Sequence, residues 1–483
     1  MQDSHPCHTM FEIDRATGTP LTDQIVGQVS QRVEDGRLLK DSRMPSVRQM
    51  AGRLGVSAHT VLAAFDRLIG LGYLVARPGA GYYVLKPQRA HAEPARAEEP
   101  FAPTTSDGFA RFALAGEAGL LPAGSGYLPP HWYEDALTSA TISHALKSLG
   151  TRGQAMPPVE GLPALREQLA ERLRRRRIPA TSAHVMSTYG ASQALVLAAR
   201  ALAVPGEAVL VDDPGYFLLH MQLAALGLRV ISVPREDDGP NLDALEQLAA
   251  DVRPRAFFTQ TVLHNPTGGS ISPTRCHRLL NLAETHGFTL VEDDVYGDLA
   301  DDHALRLAQI DGLRRVVYVG SFSKVYTPSI RVGYIAARTE VVQRVSALKL
   351  AEVLGGSALD EALIAEALRD GRFHRQAARQ RQRLARARAA SIAALAAIGV
   401  ESVAHHGEGI FLWCRLPAGV DAEAVSVAAK AEGVLLAAGP MFTRSSNARD
   451  MLRINAAYGT EPALLSVLER HVRHAGQAGD RRG

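Results

Sequence analysis

The sequence has few cysteines, no long apolar run and little excess charge. Its 483 residues include three cysteines, Cys7, Cys276 and Cys414, which lie far apart and form no CxxC pair. That spacing argues against a disulfide framework or a zinc site, and we predict no bound metal. Because no stretch has eighteen uninterrupted apolar residues and the first residues lack a signal peptide's apolar segment, we expect no membrane span and a cytoplasmic location.

The net charge of +3 is too small to indicate a nucleic-acid-binding protein by itself. Residues 10–85 contain nine Lys and Arg against seven Asp and Glu, which is barely basic. A prediction of DNA binding must therefore come from the order of helices and strands.

Residues 10–86 have the pattern of a small helical domain. A helix is predicted from Pro20 to Leu38, where apolar residues recur every four positions. Ser46, with Gln49 three residues later, predicts the capped start of a second helix, and Ser57 the start of a third. Two short strands at 73–76 and 82–85 surround a Gly-rich turn. Three helices and a hairpin predict a winged helix-turn-helix.

Residues 87–108 are rich in Pro, Ala and charge and are predicted to be a linker. From 109 to 475 apolar strands such as 208–211 and 316–319 alternate with helical stretches, which predicts an α/β fold with a large parallel-type sheet. The large lobe is expected at about 153–345 and a smaller α+β lobe at about 350–475. Arginine-rich stretches at 174–177 and 372–388 are predicted to face solvent.

A lysine follows one predicted strand in the segment Ser321-Phe322-Ser323-Lys324. The carboxyl end of a parallel strand is where α/β sheets bind ligands. A desolvated lysine there can lose its proton and form a Schiff base with an aldehyde. Taken alone, the same residues are also compatible with an ordinary surface lysine.

Residues 109–475 resemble fold-type I pyridoxal phosphate (PLP) enzymes, specifically class I aminotransferases. The similarity lies in segments in the family's order: Tyr189–Ala194, Asp213–Tyr216, His264–Gly268, Asp293–Tyr296, Ser321–Lys324 and Leu452–Asn455. The resemblance implies an internal aldimine on Lys324. It implies PLP binding by Gly190, Ala191, Ser192, Tyr216, Asn265, Asp293, Tyr296, Ser321, Ser323 and Arg331, and a substrate or effector carboxylate on Arg453.

Each motif has a simpler explanation when it is considered alone. Gly190 could cap a helix, Tyr216 could be a core aromatic, and Arg453 could form a surface ion pair. One position departs from the family, which has a tyrosine where this chain has Met156. In the family this tyrosine reaches across to the PLP phosphate bound by the partner subunit. Methionine cannot donate that hydrogen bond, so reduced PLP affinity or catalytic efficiency is expected.

Residues 20–85 resemble the GntR-type winged helix in the segments Pro45–Arg48, Leu54–Ser57, Thr60-Val61 and Arg77–Gly81. The resemblance implies DNA contacts by Arg48, Ser57, His59, Thr60, Arg77 and Gly79. Ala58 replaces the family's usual arginine, and one phosphate or base contact is expected to be weakened. The alternative is a degenerate winged helix that serves dimer packing.

The two resemblances together match the MocR subfamily of GntR regulators. They imply a homodimer that binds a double-stranded DNA operator and PLP, and that senses PLP or an amine or amino-acid effector. One alternative is an active PLP-dependent aminotransferase carrying a DNA-binding domain. The other is a cofactor-free scaffold that regulates by dimerisation alone.

Overall fold

The computed structural model describes residues 11, 13–14, 17–34, 37–39, 41–77, 80–85, 119–301, 303–403, 408–443 and 448–480. The chain divides into two compact units at residue 99. The predicted linker at 87–108 and Gly79 of the predicted wing lie outside the described residues.

The N-terminal unit contains three helices followed by an antiparallel hairpin. The helices are α1 (Leu21–Glu34), α2 (Val47–Leu54) and α3 (Ala58–Gly70), and the strands are β1 (Leu74–Arg77) and β2 (Gly81–Val84). They share one hydrophobic core, in which Val61, Phe65 and Leu68 of α3 are fully buried. This arrangement confirms the predicted winged helix-turn-helix fold.

Side-chain caps determine where α2 and α3 begin. Ser46 accepts a hydrogen bond from the backbone N–H of Gln49, whose side chain accepts one from the backbone of Ser46. Ser57 accepts a hydrogen bond from the backbone N–H of Thr60 at 3.0 Å. These caps satisfy N–H groups that have no partner inside a helix. The first helix ends at Glu34, before the predicted Leu38.

The C-terminal unit alternates helices and strands along most of its length. Its helices are α4 (Ser139–Leu149), α5 (Pro163–Arg175), α6 (Gly190–Leu202), α7 (Phe217–Ala225), α8 (Leu242–Val252), α9 (Pro273–His286), α10 (Leu307–Asp311), α11 (Thr339–Val353), α12 (Ala358–Arg369), α13 (Arg372–Ala397), α14 (Ala422–Ala431) and α15 (Pro462–Asp480). Its strands are β3 (Val185–Thr188), β4 (Ala208–Asp213), β5 (Arg229–Glu236), β6 (Gly239–Pro240), β7 (Ala256–Thr259), β8 (Thr289–Asp293), β9 (Val316–Ser321), β10 (Gly333–Ala336), β11 (Glu401–Ser402), β12 (Phe411–Arg415), β13 (Ala437–Ala438) and β14 (Met451–Asn455).

Over the described residues the large sheet has the strand order β3-β10-β9-β8-β7-β4-β5-β6. The pairs from β9 through β8, β7 and β4 to β5 are parallel, which confirms the predicted parallel arrangement for the centre of the sheet. Strand β10 is antiparallel to both β3 and β9, and β6 is antiparallel to β5, so the whole sheet is mixed. Local periodicity does not distinguish the two directions, and the antiparallel strands were not predicted.

Both faces of the large sheet are covered. Leu210 belongs to one hydrophobic core, whereas its neighbours Val209 and Val211 belong to another. Alternate side chains of a strand point to opposite faces, so helices must cover the sheet on both sides. A separate core, which includes Leu412 and Leu452, lies at the small sheet β11-β12-β14-β13.

Two arginines predicted to face solvent pack against the protein instead: Arg388 is buried and Arg176 is partly buried. Arg176 pairs with Asp294 and Asp298, and Arg388 on α13 is 1% exposed and donates to the carbonyl of Phe411. Their partners are distant in sequence, so the local charge pattern could not reveal them.

The described helices include none that is both long and apolar enough to cross a membrane.

Candidate functional site

The predicted cofactor residues gather at the carboxyl ends of β4, β7, β8 and β9. Ala191, Ser192, Tyr216, Asn265, Asp293, Tyr296, Ser321, Ser323, Lys324 and Arg331 line one cavity. Gly190 begins α6 beside them. The cavity is also lined by Tyr127 and Gln260, which were not predicted.

Lys324 is positioned by the end of β9 and by a glycine of a distant segment. Its Nζ atom donates to the carbonyl oxygen of Gly126 at 3.1 Å and lies 3.6 Å from the centre of the Tyr127 ring. Burial lowers the pKa of the Lys324 ammonium below its ordinary value. A lysine in this environment loses its proton more easily and becomes a better nucleophile toward a carbonyl group.

An anion-binding cradle lies at the start of α6. A Cβ atom at Gly190 would lie 2.7 Å from Nη2 of Arg331, so a larger residue at this position would displace the guanidinium. Nη1 of Arg331 donates to the Ser323 hydroxyl at 3.1 Å, and the Ser321 hydroxyl accepts from the Ser323 N–H at 3.3 Å. A guanidinium, hydroxyl groups and the free backbone N–H groups at a helix N-terminus can all donate hydrogen bonds to a phosphate.

Asp293 is a buried acid at the end of β8, 3% exposed. The carboxamide of Gln260 donates to its Oδ2 atom at 2.8 Å. Burial, the largest effect, raises the pKa of Asp293 to about 7, although the Gln260 hydrogen bond acts in the opposite direction. Asp293 can therefore exchange a proton near neutral pH.

The raised pKa of Asp293 predicts a pH-dependent stability. Between pH 4 and 7 the folded chain keeps a proton that the unfolded chain releases, so this group's contribution to stability falls as pH rises. We compare the melting temperature of cofactor-free Asp293→Asn with that of cofactor-free wild type at two pH values. The difference, variant minus wild type, should be about 2–5 °C more positive at pH 8 than at pH 4.5. Calorimetry at both pH values measures this difference.

Asp251→Asn, which changes an exposed carboxylate, is the matched control and should give similar melting-temperature shifts at both pH values. If Asp293→Asn also gave equal shifts, Asp293 would not be a proton-binding group near neutral pH.

Arg453 lies on β14, is 2% exposed, and its guanidinium stands between the rings of Phe411 and Phe442. Its Nη1 atom donates to Oδ1 of Asn265 at 2.6 Å. Burial lowers the pKa of Arg453 to about 10, which still leaves it charged at neutral pH. The structure therefore joins the predicted carboxylate-binding arginine to the predicted cofactor residue Asn265.

Residues 121–127 form a site segment that the sequence did not reveal. Tyr127 of this segment lies over the lysine amine, and Lys324 and Arg331 lower the pKa of its phenol. The carbonyl of Gly124 accepts a hydrogen bond from Arg453. Because the segment contacts residues about 200 and 330 positions away, only the folded chain brings it into the site.

The predicted DNA-binding residues lie in the N-terminal unit. Arg48, Ser57 and His59 are exposed at the first turns of α2 and α3, and Thr60 is partly buried. The Ser57 side chain is also the cap of α3. Arg77 in the hairpin pairs with Asp41 at 3.1 Å and stacks on the Tyr83 ring.

Two protein families match the chain in separate regions. The family "aminotransferase class I and II" matches residues 124–470. The chain belongs to this aminotransferase family. Residues 21–84 match the gntR family of bacterial regulatory proteins, so this aminotransferase-family chain also carries a GntR-type helix-turn-helix domain.

Two relatives of this aminotransferase-family protein are similar to it over most of its length. YdcR of Escherichia coli K12, an uncharacterized HTH-type transcriptional regulator, is 29% identical over 448 residues, which cover 90% of this chain and 94% of YdcR. The HTH-type transcriptional regulator TauR of Rhodobacter capsulatus is 31% identical over 437 residues, covering 86% of this chain and 88% of TauR. This chain is therefore similar over most of its length to HTH-type transcriptional regulators.

A solved structure is similar to the aminotransferase-like unit. LysN, an alpha-aminoadipate aminotransferase from Thermus thermophilus, has a TM-score of 0.67 and 27% identity, covering 77% of this chain and 98% of LysN. The LysN structure contains N-(5'-phosphopyridoxyl)-L-leucine. The similarity confirms the predicted aminotransferase fold.

Proposed function

We propose that this chain is a transcriptional regulator of the MocR type that binds PLP at Lys324 and responds to PLP or to an amino compound. The observation that carries the proposal is that one chain joins a GntR-type DNA-binding domain to a cavity containing a buried amine, an anion cradle and a buried acid. A protein that only transferred amino groups would not need the GntR-type domain.

The residues of the cavity fit PLP group by group. PLP supplies an aldehyde that reacts with amines, a phosphate and an electron-withdrawing pyridine ring. Lys324 offers the amine, and the cradle formed by Gly190, Ser323 and Arg331 suits the phosphate. Asp293 offers a carboxylate that would hold a proton on the ring nitrogen.

The remaining predicted residues also have suitable chemistry. Tyr216 offers an aromatic face for the ring, and Asn265 and Tyr296 offer hydrogen-bond donors for the phenolic oxygen. Ala191, Ser192 and Ser321 line the same cavity and would add contacts to the phosphate.

We expect Gly190→Ala to weaken PLP binding by about 10-fold or more. Gly190 has a φ of +72°, and its added methyl would also displace Arg331. Equilibrium dialysis with PLP measures the change. Gly287→Ala is the matched control, because Gly287 has a φ of +74° but nothing within 4 Å of an added Cβ. Equal PLP affinities for both variants would contradict the cradle.

Arg453 defines the class of effector. A buried guanidinium next to Asn265 suits a carboxylate, which it can bind with two parallel hydrogen bonds. An effector with both a carboxylate and an amine could then contact Arg453 and the Lys324 site at once. We therefore propose amino acids as the effector class, with PLP alone as the other candidate.

The site segment 121–127 lies early in the C-terminal unit, close in sequence to the predicted linker. Its carbonyl groups accept hydrogen bonds from Lys324 and Arg453, the residues proposed to bind cofactor and effector. Asn455 holds the same segment by donating to the carbonyls of Ser125 and Tyr127 at 2.9 and 2.7 Å. A ligand that takes over these donors would change the contacts of this segment, and we propose this change as the step that couples the site to the DNA-binding domain.

We propose that the regulator is a homodimer. Met156, Leu350 and Leu354 of the C-terminal unit are 71%, 50% and 59% exposed, and Pro157 lies against Gly355. Exposed apolar side chains that are close together are typical of protein interfaces. Light scattering should give twice the chain mass of 51.8 kDa, whereas a mass of 51.8 kDa at micromolar concentration would contradict the proposal.

DNA binding is proposed for the exposed residues at the first turns of α2 and α3. Arg48, Ser57 and His59 can reach phosphates or base edges if α3 enters the major groove, as in other winged helices. Thr60, Arg77 and Gly79 complete the proposed DNA-binding set.

The test of function compares DNA binding with turnover in the purified full-length protein. Selection from a random duplex library should enrich a specific sequence, and absorbance should show bound PLP. We expect amino transfer to a keto acid to be slower than about 1 per second, the lower end of ordinary enzymes. Turnover at or above that rate without selective DNA binding would favour the aminotransferase alternative. Absence of bound PLP would favour the cofactor-free scaffold.

A further inference from the structure

Gln260 makes two hydrogen bonds that together determine the orientation of its carboxamide. It follows β7 and is 5% exposed. Its Oε1 atom accepts from the backbone N–H of Asn265 at 2.7 Å, while its Nε2 atom lies 2.8 Å from Oδ2 of Asp293. A backbone N–H can only donate, so the carbonyl end must face Asn265. The amide nitrogen therefore donates to Asp293.

The backbone of Gln260 is held by a buried ion pair behind the site. Nη2 of Arg235 donates to the Gln260 carbonyl at 3.1 Å, and Oδ2 of Asp212 accepts from its N–H at 3.3 Å. Arg235 and Asp212 also contact each other at 2.9 Å, and the Arg235 side chain is fully buried. Gln260 is thus fixed before any ligand binds.

A donor aimed at a buried carboxyl group favours the charged form of that group. Burial raises the pKa of Asp293 most strongly, whereas the hydrogen bond from Gln260 lowers it. Three other groups act on Asp293: the backbone N–H of Val295 donates to its Oδ1 atom at 3.4 Å and lowers its pKa, Asp294 raises it, and Lys324 lowers it. The phenols of Tyr216 and Tyr296 lie nearby.

We propose that Gln260 is a positioning residue that keeps Asp293 as a carboxylate directed at the ring nitrogen of PLP. This inference depends on the proposed function, because it requires PLP in the cavity. It adds a residue that acts through Asp293 and does not itself react. It also connects Asp293 to the backbone of Asn265, so the acid and the turn that contacts Arg453 hold one another in place.

The test uses two cofactors that differ at one atom. PLP has a basic ring nitrogen, whereas 1-deazapyridoxal 5'-phosphate has carbon at that position and gains nothing from a charged Asp293. We expect Gln260→Leu to weaken PLP binding by about 10- to 100-fold, the usual effect of losing a hydrogen bond to a charged group. Binding of the deaza compound should change less than threefold.

Gln260→Glu gives a second test, because its shape is preserved. Below its pKa the new carboxylic acid can still donate to Asp293, whereas above it two carboxylates would face each other. PLP affinity of this variant, relative to wild type, should therefore be near normal at pH 6 and at least 10-fold weaker at pH 8.5. The deaza compound should show no such pH dependence.

The outcomes separate this inference from the proposed function. Equal losses for both compounds in Gln260→Leu would mean a structural role only, and no loss for either would mean no role; each overturns the inference while leaving PLP binding intact. Failure of wild type to bind PLP would overturn both proposals.

Discussion

Replacing Lys324 by alanine is expected to abolish borohydride-stable attachment of PLP and to weaken PLP binding by about 100-fold or more. The covalent bond would be lost, leaving only contacts to the phosphate and the ring. Absorbance and mass spectrometry after borohydride reduction measure the two effects. Lys147→Ala, which removes an exposed lysine of α4, should behave as wild type.

A second buried lysine, Lys349, tests whether PLP attaches to Lys324 in particular and not to any buried lysine. Lys349 is fully buried, and burial lowers its pKa as well. Its Nζ atom donates to the carbonyls of Val159 and Ser187 at 2.7 and 2.9 Å, which keeps it away from the Lys324 cavity. If the reduced adduct mapped to Lys349, or survived Lys324→Ala, the assignment of Lys324 would be wrong.

Phe65→Ala is expected to unfold the DNA-binding domain while leaving PLP binding unchanged. Phe65 is fully buried in the N-terminal core, where its ring packs edge-on against Tyr82 at 4.9 Å. Truncating a buried phenylalanine costs about 3–5 kcal/mol, which is most of the stability of a small domain. DNA binding by fluorescence anisotropy should disappear, and limited proteolysis should cleave within residues 20–85.

Leu71→Ala is the matched control for the core substitution. Leu71 follows α3 and is 54% exposed, so its truncation should cost under about 1 kcal/mol and preserve DNA binding. Loss of PLP binding in Phe65→Ala would contradict the expectation that the two compact units fold independently.

The sequence predicted those parts of the site that occur as contiguous motifs at strand ends. Lys324 follows β9 and Asp293 ends β8, and neighbouring parallel strands bring such ends to one edge of a sheet. The order of the motifs therefore predicted the cavity. It also predicted the helix starts at Ser46 and Ser57, because a cap is a local interaction.

The residues that were missed depend on contacts between distant segments. Tyr127 reaches Lys324 across about 200 residues, and Gln260 has no motif that indicates its contact with Asp293. The same reason explains the wrong prediction for Arg388, whose charge suggested solvent but whose partner is a carbonyl of β12. Charge and periodicity describe a local stretch of chain and not what packs against it.

The coupling between the two units is the central claim of this account. It is tested most directly by titrating a selected DNA duplex with the full-length protein, with and without saturating PLP and individual amino acids. We predict at least a 5-fold change in DNA affinity with one of these ligands, the lower range of allosteric coupling, and no change in Lys324→Ala. Identical DNA affinities for ligand-free and ligand-saturated wild-type protein would contradict the account.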